Sequence, residues 1–314
     1  MPDLTIFTAP KPFTNPHINI IQRNAIRSWV EMGSRVEVLL IGREEGLAEA
    51  AAEFGVRHLP DVSTNEQGTP LVSSIFELAR QNSVSPLLVY VNADILLFPE
   101  FLDTALQLKD TTEKFLAVGQ RWDLDLRQGL AFHAGWEHAL RDQVQANARL
   151  HPASGSDYFL FPRACFTDIP AFAIGRAGWD NWMIFEARRR RWPVVDATSD
   201  LVVVHQDHDY GHLPGGQPHY RLPETNVNIR LAGGRRALFS LQDAGYQLSS
   251  GKLRPIPRRG KKFWREVETF PLVSLRSTAL AELTYAIFHP LKAWGEWRGR
   301  LAYKLKSLIP RENS

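Results

Sequence analysis

The first 120 residues alternate between short apolar runs and longer segments with helical periodicity. The runs "LTIFT", "RVEVLLIG", "VRHLP" and "SPLLVYV" have the length of strands, and the segments between them repeat apolar residues at three- and four-residue spacing. One such segment has a candidate N-cap at Asn15 and a stop at Gly33. Strands that alternate with helices of about 10 to 15 residues indicate a parallel sheet. The sequence therefore predicts an α/β fold with one doubly wound, mostly parallel mixed sheet and helices on both faces.

The charge of the chain divides it into two parts. Residues 251–314 contain 14 Lys and Arg against 5 Asp and Glu, a net charge of +9, so residues 1–250 carry −6 of the total of +3. Such an asymmetry indicates that the two parts have different roles. We expect a main domain over residues 1–250, with halves at about 1–120 and 121–250, followed by a basic linker and helical tail over 251–314.

Several classes of protein lose support from the sequence. Neither G-x-G-x-x-G nor G-x-x-x-x-G-K-[ST] follows a predicted strand, so a dinucleotide site and a P-loop are not indicated. The single cysteine, Cys165, excludes an internal disulfide and fits a reducing compartment. The N-terminus lacks the pattern of a signal peptide, and no uncharged apolar run reaches the roughly 18 residues of a membrane span. We therefore expect a cytoplasmic protein.

A carboxylate follows the fourth predicted strand, where the apolar run Leu87–Val91 continues into Asn92, Ala93 and Asp94. A buried charge is unfavourable unless it is paired, hydrogen-bonded or bound to a metal. One interpretation is that Asp94 braces the turn before a helix that starts at Pro99. The other is a carboxylate that binds a hard divalent cation facing a phosphate. The strand alone does not decide between them.

The segment "GRAGWDNW" places Asp180 in the first turn of a predicted helix, between Trp179 and Trp182. An aspartate at this position commonly caps the helix. Alternatively, the two tryptophans form a flat apolar surface on which a sugar ring stacks. The carboxylate of Asp180 would then act as a general base toward a hydroxyl group held there.

Histidines and aspartates follow the apolar strand "LVVV" in the segment "HQDHDYGH". His205 comes directly at the strand end and is a candidate metal ligand. A zinc hydrolase would need further ligands on other strands, and the earlier strand ends offer only Asp61 and Asp94. His205 and Asp94 together better fit a metal that is held mainly by its substrate. Most of the remaining histidines are expected to be solvated or structural.

The order of these motifs, "NAD", "GRAGWDNW" and "VVVHQDHD", resembles that of the nucleotide-sugar-dependent glycosyltransferases of GT-A fold, over roughly residues 4–232. The resemblance implies that Asp94 takes the place of the last residue of a D-x-D motif, which binds Mn²⁺ or Mg²⁺ at the donor diphosphate. It further implies that His205 completes the metal site and that Asp180 is the base of an inverting enzyme. The chain departs from the motif at Asn92, which replaces the first aspartate.

The resemblance also implies contacts with the substrates. The candidate donor-binding residues lie in the loops after the strands, and they are Thr8, Ala9, Asn65, Asn92 and Ala93. The candidate acceptor-binding residues are Asp157, Trp179 and Trp182. The function implied is transfer of a sugar from a nucleotide-diphosphate sugar to a hydroxyl group of a glycan or a lipid-linked glycan. Two alternatives remain, a nucleotidyltransferase and a catalytically silent module that binds a sugar or a nucleotide.

The basic tail contains a second pattern. From Pro290 onward, apolar residues recur at helical spacing at Leu291, Trp294, Trp297, Leu301, Leu305 and Leu308, and cations occupy much of the remainder. Such a helix either packs its apolar stripe on the main domain or lies in a membrane interface with its cations on anionic headgroups. Binding to nucleic acid has less support, because no reading motif accompanies the charge. We expect a peripheral contact with the inner face of the membrane.

Overall fold

The computed structural model describes residues 1–208 and 222–307, with side chains up to residue 299. The chain divides into two compact units, Met1–Ile256 and Pro257–Ser314. The strands are β1 (Leu4–Thr8), β2 (Val36–Ile41), β3 (Arg57–Leu59), β4 (Leu87–Val91), β5 (Ile95–Leu97), β6 (Leu116–Val118), β7 (Trp122–Leu124), β8 (Arg149–Leu150), β9 (Tyr158–Pro162), β10 (Val194–Asp196), β11 (Val203–Gln206), β12 (Tyr246–Ser249) and β13 (Lys252–Pro255). The helices are α1 (Pro16–Val30), α2 (Leu47–Phe54), α3 (Val72–Gln81), α4 (Glu100–Thr111), α5 (Trp136–Asn147), α6 (Trp179–Arg189), α7 (Pro223–Leu231), α8 (Lys261–Val273), α9 (Thr278–Phe288) and α10 (Pro290–Ser307).

The first unit is built on a nine-stranded sheet with the order β13–β12–β10–β6–β9–β4–β1–β2–β3. Strand β1 pairs in parallel with β2 and β4, and β10 pairs in parallel with β6 and β12. Strand β9 runs antiparallel between β4 and β6, and β13 is antiparallel at one edge. The predicted α/β fold with a mixed, mostly parallel sheet is therefore confirmed.

Helices cover both faces of this sheet, which explains why its central strands are apolar throughout. On one face, Leu4 and Ile6 of β1 belong to the same core as Trp29 of α1. On the other face, the ring of Phe7 packs edge-on against Phe76 of α3, with ring centroids 4.9 Å apart. Consecutive strand residues point to opposite sides of a sheet, so α1 and α3 lie on opposite faces.

Helix α1 begins where the sequence predicts. The side-chain oxygen of Asn15 accepts hydrogen bonds from the backbone N–H groups of His17 and Ile18, at 2.9 and 3.1 Å, and so caps the first turn. At the other end of the helix, the indole N–H of Trp29 donates to the carbonyl oxygen of Ile95 at 3.0 Å. This bond ties α1 to strand β5, directly after Asp94.

A second, four-stranded sheet has the order β5–β11–β7–β8. Strand β11 pairs antiparallel with β5 and parallel with β7, so that His205 lies opposite both Ile95 and Asp123. The sequence does not predict β5, and it predicts one continuous strand in "FLAVGQRW", where the structure has β6 and β7 in different sheets. This small sheet brings the polar residues after β4 next to those of β11.

The second unit consists of α8, α9 and α10, and α10 starts at Pro290, as predicted. Leu308 of the predicted apolar stripe lies outside the described residues, and the side chains of Leu301 and Leu305 are likewise not described. Within residues 1–208 and 222–307, no helix is long and apolar enough to cross a membrane. The segment predicted as a linker from residue 251 instead begins with β13, which pairs with β12, and the first unit extends to Ile256.

Candidate functional site

A group of three potential metal ligands lies where the two sheets meet. Asp94 lies in the short link between β4 and β5, His205 lies in β11, and His208 follows β11. One ligand atom from each of the three residues lies within 4.8 Å of the other two, and Nε2 of His208 is 3.0 Å from Oδ2 of Asp94. The structure thus places Asp94 and His205 together, as the sequence predicts, and adds His208.

The carboxylate of Asp94 is buried, with 8% of the residue exposed. Burial would raise the pKa of Asp94, but the hydrogen bond with His208 and the charge of Lys11 outweigh it and hold the pKa well below its usual value. Its other oxygen, Oδ1, is buried without a hydrogen-bond partner among residues 1–208 and 222–307. A buried, ionised carboxylate with an uncommitted oxygen is suited to bind a cation.

His205 lies between two carboxylates. Its Nδ1 atom is 3.4 Å from Oδ1 of Asp123 and 3.4 Å from Oδ1 of Asp207. Burial lowers the pKa of His205, but Asp123 and Asp94 outweigh that effect, and the pKa lies above its usual value. Asp123, His205 and Asp207 form a second group whose ligand atoms lie within 4.8 Å of one another.

Asp123 is the centre of a buried polar network. Its Oδ1 atom accepts a hydrogen bond from Nε of Arg121 at 2.9 Å, and its Oδ2 atom is 2.8 Å from Nδ1 of His151. Burial would raise the pKa of Asp123, but His205, His151 and Arg121 outweigh it and depress the pKa strongly. Arg121 and His151 hold this carboxylate in place. Its Oδ1 atom therefore faces Nδ1 of His205 from a fixed position.

Asp157 and Asn92 bind each other. The amide nitrogen of Asn92 donates to Oδ1 of Asp157 at 2.9 Å, and Arg121 donates to the same oxygen at 2.6 Å. Asp157, predicted as an acceptor contact, is buried and is a partner of Asn92 and Arg121. Asn92, predicted to contact the donor, uses its amide nitrogen to join the end of β4 to the residue before β9.

The two tryptophans of "GRAGWDNW" are core residues, which corrects the prediction of a sugar-binding surface. Trp179 and Trp182 are each 6% exposed. The ring of Trp179 packs edge-on against Tyr90 at 5.1 Å, and that of Trp182 packs against Phe172 at 5.3 Å. Rings buried in this way have no free face for a sugar, because their area already contributes to the core.

Asp180 is half-buried in the first turn of α6, as predicted. Its Oδ1 atom accepts a hydrogen bond from the backbone N–H of Gly178 at 3.1 Å. Through Trp179, this turn packs against Tyr90 of β4, four residues before Asp94. Asp180 therefore has a contact typical of a residue that stabilises the start of a helix. It also lies on α6, which packs against β4 through Trp179.

The other candidate donor contacts differ in their environment. Thr8 ends β1, and its buried hydroxyl has no hydrogen-bond partner in the described part of the chain. Ala9 follows it half-buried, and Ala93 is buried. Asn65 donates to Glu224 at 2.6 Å and accepts from two backbone N–H groups of its own loop. The side chain of Asn65 therefore has a structural role. Among these candidates, Thr8 has a hydroxyl group without a hydrogen-bond partner in the described part of the chain.

A cleft of about 490 Å³ opens beside the metal-ligand group. Its walls come from the start of α1, the segments before and after α5, and the end of β11. The lining residues are Asn15, His17, Ile18, Arg127, Arg149, Asp207 and His208. Arg127 and Arg149 give the cleft positive charge, which suits an anionic ligand.

Sequence reasoning missed several residues of this site. His208 was expected to be solvated or structural, yet it contacts Asp94. Lys11 was not predicted, although its Nζ atom lies 3.6 Å from Oδ2 of Asp94. Asp123 lies within a three-residue strand and not after a long apolar run, so its position gave no strand-end signal. The repeated His and Asp of "HQDH" was the one signal that could have included His208.

The residues present fit a divalent cation. The group supplies one carboxylate oxygen and two imidazole nitrogens, with the buried Oδ1 of Asp94 still uncommitted. Carboxylates suit Mg²⁺ and Mn²⁺, whereas imidazoles suit transition metals better than Mg²⁺. The predicted divalent-metal cofactor is thus matched by a group able to hold it, and the donor set favours Mn²⁺ over Mg²⁺.

No protein-family model and no curated protein matches the chain. Solved structures similar to it include nucleotide-sugar glycosyltransferases. One is glucosyl-3-phosphoglycerate synthase from Mycobacterium tuberculosis with Mn²⁺, UDP and glucosyl-3-phosphoglycerate, at 15% identity over 82% of this chain and 88% of that chain, with a TM-score of 0.45. Another is the mannosyltransferase PcManGT from Pyrobaculum calidifontis with GDP-Man and Mn²⁺, at 12% identity over 67% of this chain and 59% of that chain, with a TM-score of 0.43.

A third similar structure is S. aureus TarS 1-349, at 12% identity over 66% of this chain and 59% of that chain, with a TM-score of 0.41. The chain therefore spans about three fifths of two of these three structures. The function proposed for it rests on the residues of its own site.

Proposed function

We propose that this chain is a glycosyltransferase that moves a sugar from a nucleotide-diphosphate sugar to a hydroxyl acceptor with the help of a divalent metal. The observation that carries the proposal is the group formed by Asp94, His205 and His208 at the carboxyl end of β4. In open α/β sheets, ligands bind outside the carboxyl ends of the strands. The metal ligands and the substrate cleft would then share one edge of the sheet.

The surroundings of the group support a donor with a diphosphate. The cleft beside His208 is lined by Arg127 and Arg149, whose side chains are 68% and 79% exposed and so accessible to a ligand. One guanidinium group can donate two parallel hydrogen bonds to two oxygens of a phosphate. When bound, a divalent cation would neutralise the negative charge that develops on the leaving diphosphate. Asp94, His205 and His208 would hold that cation.

We assign the role of general base to Asp180, which makes the proposed enzyme inverting. The carboxylate would accept the proton of the acceptor hydroxyl as it attacks the sugar from the face opposite the diphosphate. The support is the position of Asp180 at the start of α6, which packs on β4 through Trp179 and Tyr90. A retaining enzyme would not need this base.

The acceptor side of the proposal involves the second unit. Eleven of the sixteen large apolar residues that are exposed in the described structure lie between residues 257 and 299. Among them, Trp264, Trp294 and Trp297 are each more than half exposed. Aromatic residues combined with many cations favour the interface of an anionic membrane. We propose that this unit holds the enzyme at the inner face of the membrane, near a lipid-linked glycan acceptor of polysaccharide biosynthesis.

The alternative of a silent binding module has one observation in its favour. Asn92 replaces an acidic residue and is engaged with Asp157, so the metal has fewer oxygen ligands than a full D-x-D motif would offer. A nucleotidyltransferase has less support, because its Gly-rich, basic first loop is absent from the sequence "TAPKPF". A panel of nucleotide sugars, screened for thermal stabilisation of the full chain with and without Mn²⁺, tests the proposal.

A ligand of the native state raises the melting temperature. We expect one nucleotide sugar to stabilise the protein, and to do so more strongly with Mn²⁺. Nucleoside diphosphate released slowly from that donor, in the absence of acceptor, would separate a transferase from a silent module. Stabilisation by nucleoside triphosphates alone would favour the nucleotidyltransferase, and no stabilisation by any nucleotide would contradict the proposal.

A further inference from the structure

The loop between β1 and α1 carries a lysine into the metal-ligand group. The Nζ atom of Lys11 lies 3.6 Å from Oδ2 of Asp94 and 3.1 Å from Nε2 of His208. These two atoms are themselves only 3.0 Å apart. A protein cation therefore already lies beside the carboxylate and the imidazole that would hold a metal.

The position of Lys11 is built into the loop. The buried side chain of Gln22 in α1 forms hydrogen bonds with both the N–H and the carbonyl group of Lys11. Its Oε1 atom accepts from the Lys11 N–H at 2.7 Å, and its Nε2 donates to the Lys11 carbonyl at 2.9 Å. Pro10 and Pro12 flank the lysine and restrict its backbone further. The backbone of Lys11 is therefore held in place, and its side chain extends from there to Asp94 and His208.

The place of this ammonium group gives it a function. Nε2 of His208 and Oδ2 of Asp94 lie 3.0 Å apart, and Nζ of Lys11 lies within 3.6 Å of both atoms. An ammonium group carries a full positive charge and donates up to three hydrogen bonds, so Lys11 occupies the space beside Asp94 in which a cation would bind. A divalent metal would use the same carboxylate and the same imidazole, so the two cations cannot both be held fully.

We propose that Lys11 is an internal cation of the Asp94–His208 pair and competes with divalent metal for it. The inference rests on the metal site of the proposed function. It predicts that the protein without substrate binds metal more weakly than its ligands alone would allow. Metal binding then requires the ammonium group to move away from Asp94, toward the open side of the loop where the side chain is 31% exposed.

The test is a titration of the full chain with Mn²⁺ alone, followed by electron paramagnetic resonance. Lys11→Met removes the charge but keeps an unbranched side chain, and Lys109→Met removes an exposed lysine of α4 as a matched control. We expect Lys11→Met to lower the dissociation constant for Mn²⁺ by about tenfold, since one unit charge close to a partly buried site changes binding by that order. Lys11→Arg and Lys109→Met should stay close to the wild type.

Thermal denaturation provides a second readout that does not depend on activity. Without metal, Lys11→Met should melt at a lower temperature than the wild type, because Asp94 loses a neighbouring cation. With saturating Mn²⁺, its gain in melting temperature should exceed that of the wild type. An unchanged or weaker affinity of Lys11→Met for Mn²⁺ would overturn the competition and leave the metal site intact. Absence of Mn²⁺ binding in every variant would overturn both, whereas nucleotide-sugar binding would still test the proposed enzyme separately.

Discussion

Oδ1 of Asp123 lies 3.4 Å from Nδ1 of His205, because the parallel pairing of β7 and β11 sets these two residues opposite each other. A carboxylate on one ring nitrogen of a histidine orients the ring and makes the other nitrogen a better ligand. The buried Asp123 would therefore act on a metal through His205, in addition to its bonds with Arg121 and His151.

Asp123→Asn is expected to weaken binding of Mn²⁺ by roughly 10- to 100-fold, the usual effect of losing such a partner. The measurement is a Mn²⁺ titration of the folded variant. Asp125→Asn changes an exposed carboxylate two residues further along the chain and is the matched control. If Asp123→Asn bound Mn²⁺ as tightly as Asp125→Asn does, Asp123 would contribute to the fold alone.

Asp180→Asn should lower the turnover number by roughly 10²- to 10⁴-fold, the contribution typical of a general base. The dissociation constant of the donor should barely change, because a base acts in the transition state. Both quantities can be measured once a donor is known, with Asp168→Asn as an exposed control. Near-normal turnover together with a large rise in the donor dissociation constant would identify Asp180 as a structural brace of α6.

The pH dependence of stability has a contribution from Glu186 in α6. This carboxylate is buried and accepts from Nε of Arg189 at 2.7 Å and Nε of Arg190 at 2.6 Å. Burial would raise the pKa of Glu186, but the two arginines outweigh it and lower the pKa below 4.5. A depressed folded-state pKa stabilises the protein above the unfolded pKa, and this stabilisation is lost as pH falls through the folded value.

Glu186→Gln is therefore expected to reduce the free energy of unfolding at pH 7 by about 2 kcal/mol, the scale of charged hydrogen bonds. The difference between wild type and variant should shrink as the pH falls below 4.5. Urea denaturation at several pH values measures it. A difference that stays constant down to the lowest pH at which both proteins fold would contradict this account of Glu186.

The second unit should bind anionic vesicles. Replacing Trp264, Trp294 and Trp297 together with serine in the full chain is expected to abolish co-sedimentation with vesicles that contain phosphatidylserine. Added salt should weaken the wild-type binding, because it screens the cations. Val84→Ser, which alters an equally exposed apolar residue of the first unit, should have no effect. If the triple variant sedimented like the wild type, the membrane contact would be ruled out.

The sequence predicted the large sheet because its strands are buried on both faces and therefore apolar throughout, as in β1 and β4. Asp94 could be predicted for the same reason, since a carboxylate after such a run stands out. The small sheet could not be predicted. Its strands β5, β7 and β11 have three or four residues each, too few to show a period, and their pairing depends on contacts far apart in sequence.

This missing sheet explains the errors at the site. His208 reaches Asp94 because β11 pairs with β5, and Asp123 reaches His205 because β7 pairs with β11, so the sequence offered no reason to join these residues to the site. Trp179 and Trp182 were misplaced for a different reason. A turn rich in tryptophan has the same composition on a surface as in a core, and only the neighbouring rings of Tyr90 and Phe172 show that these are core residues.

The proposed function requires that the carboxyl end of β4 holds a divalent metal that assists breakage of a nucleotide sugar. The most direct measurement is release of nucleoside diphosphate from the stabilising donor, as a function of Mn²⁺, in the wild type, Asp94→Asn and His205→Ala. Asp61→Asn, an exposed carboxylate after β3, is the control. We expect Mn²⁺ to stimulate release in the wild type and in Asp61→Asn, and neither site variant to respond although both remain folded. Wild-type release by both site variants at limiting Mn²⁺ would contradict the claim.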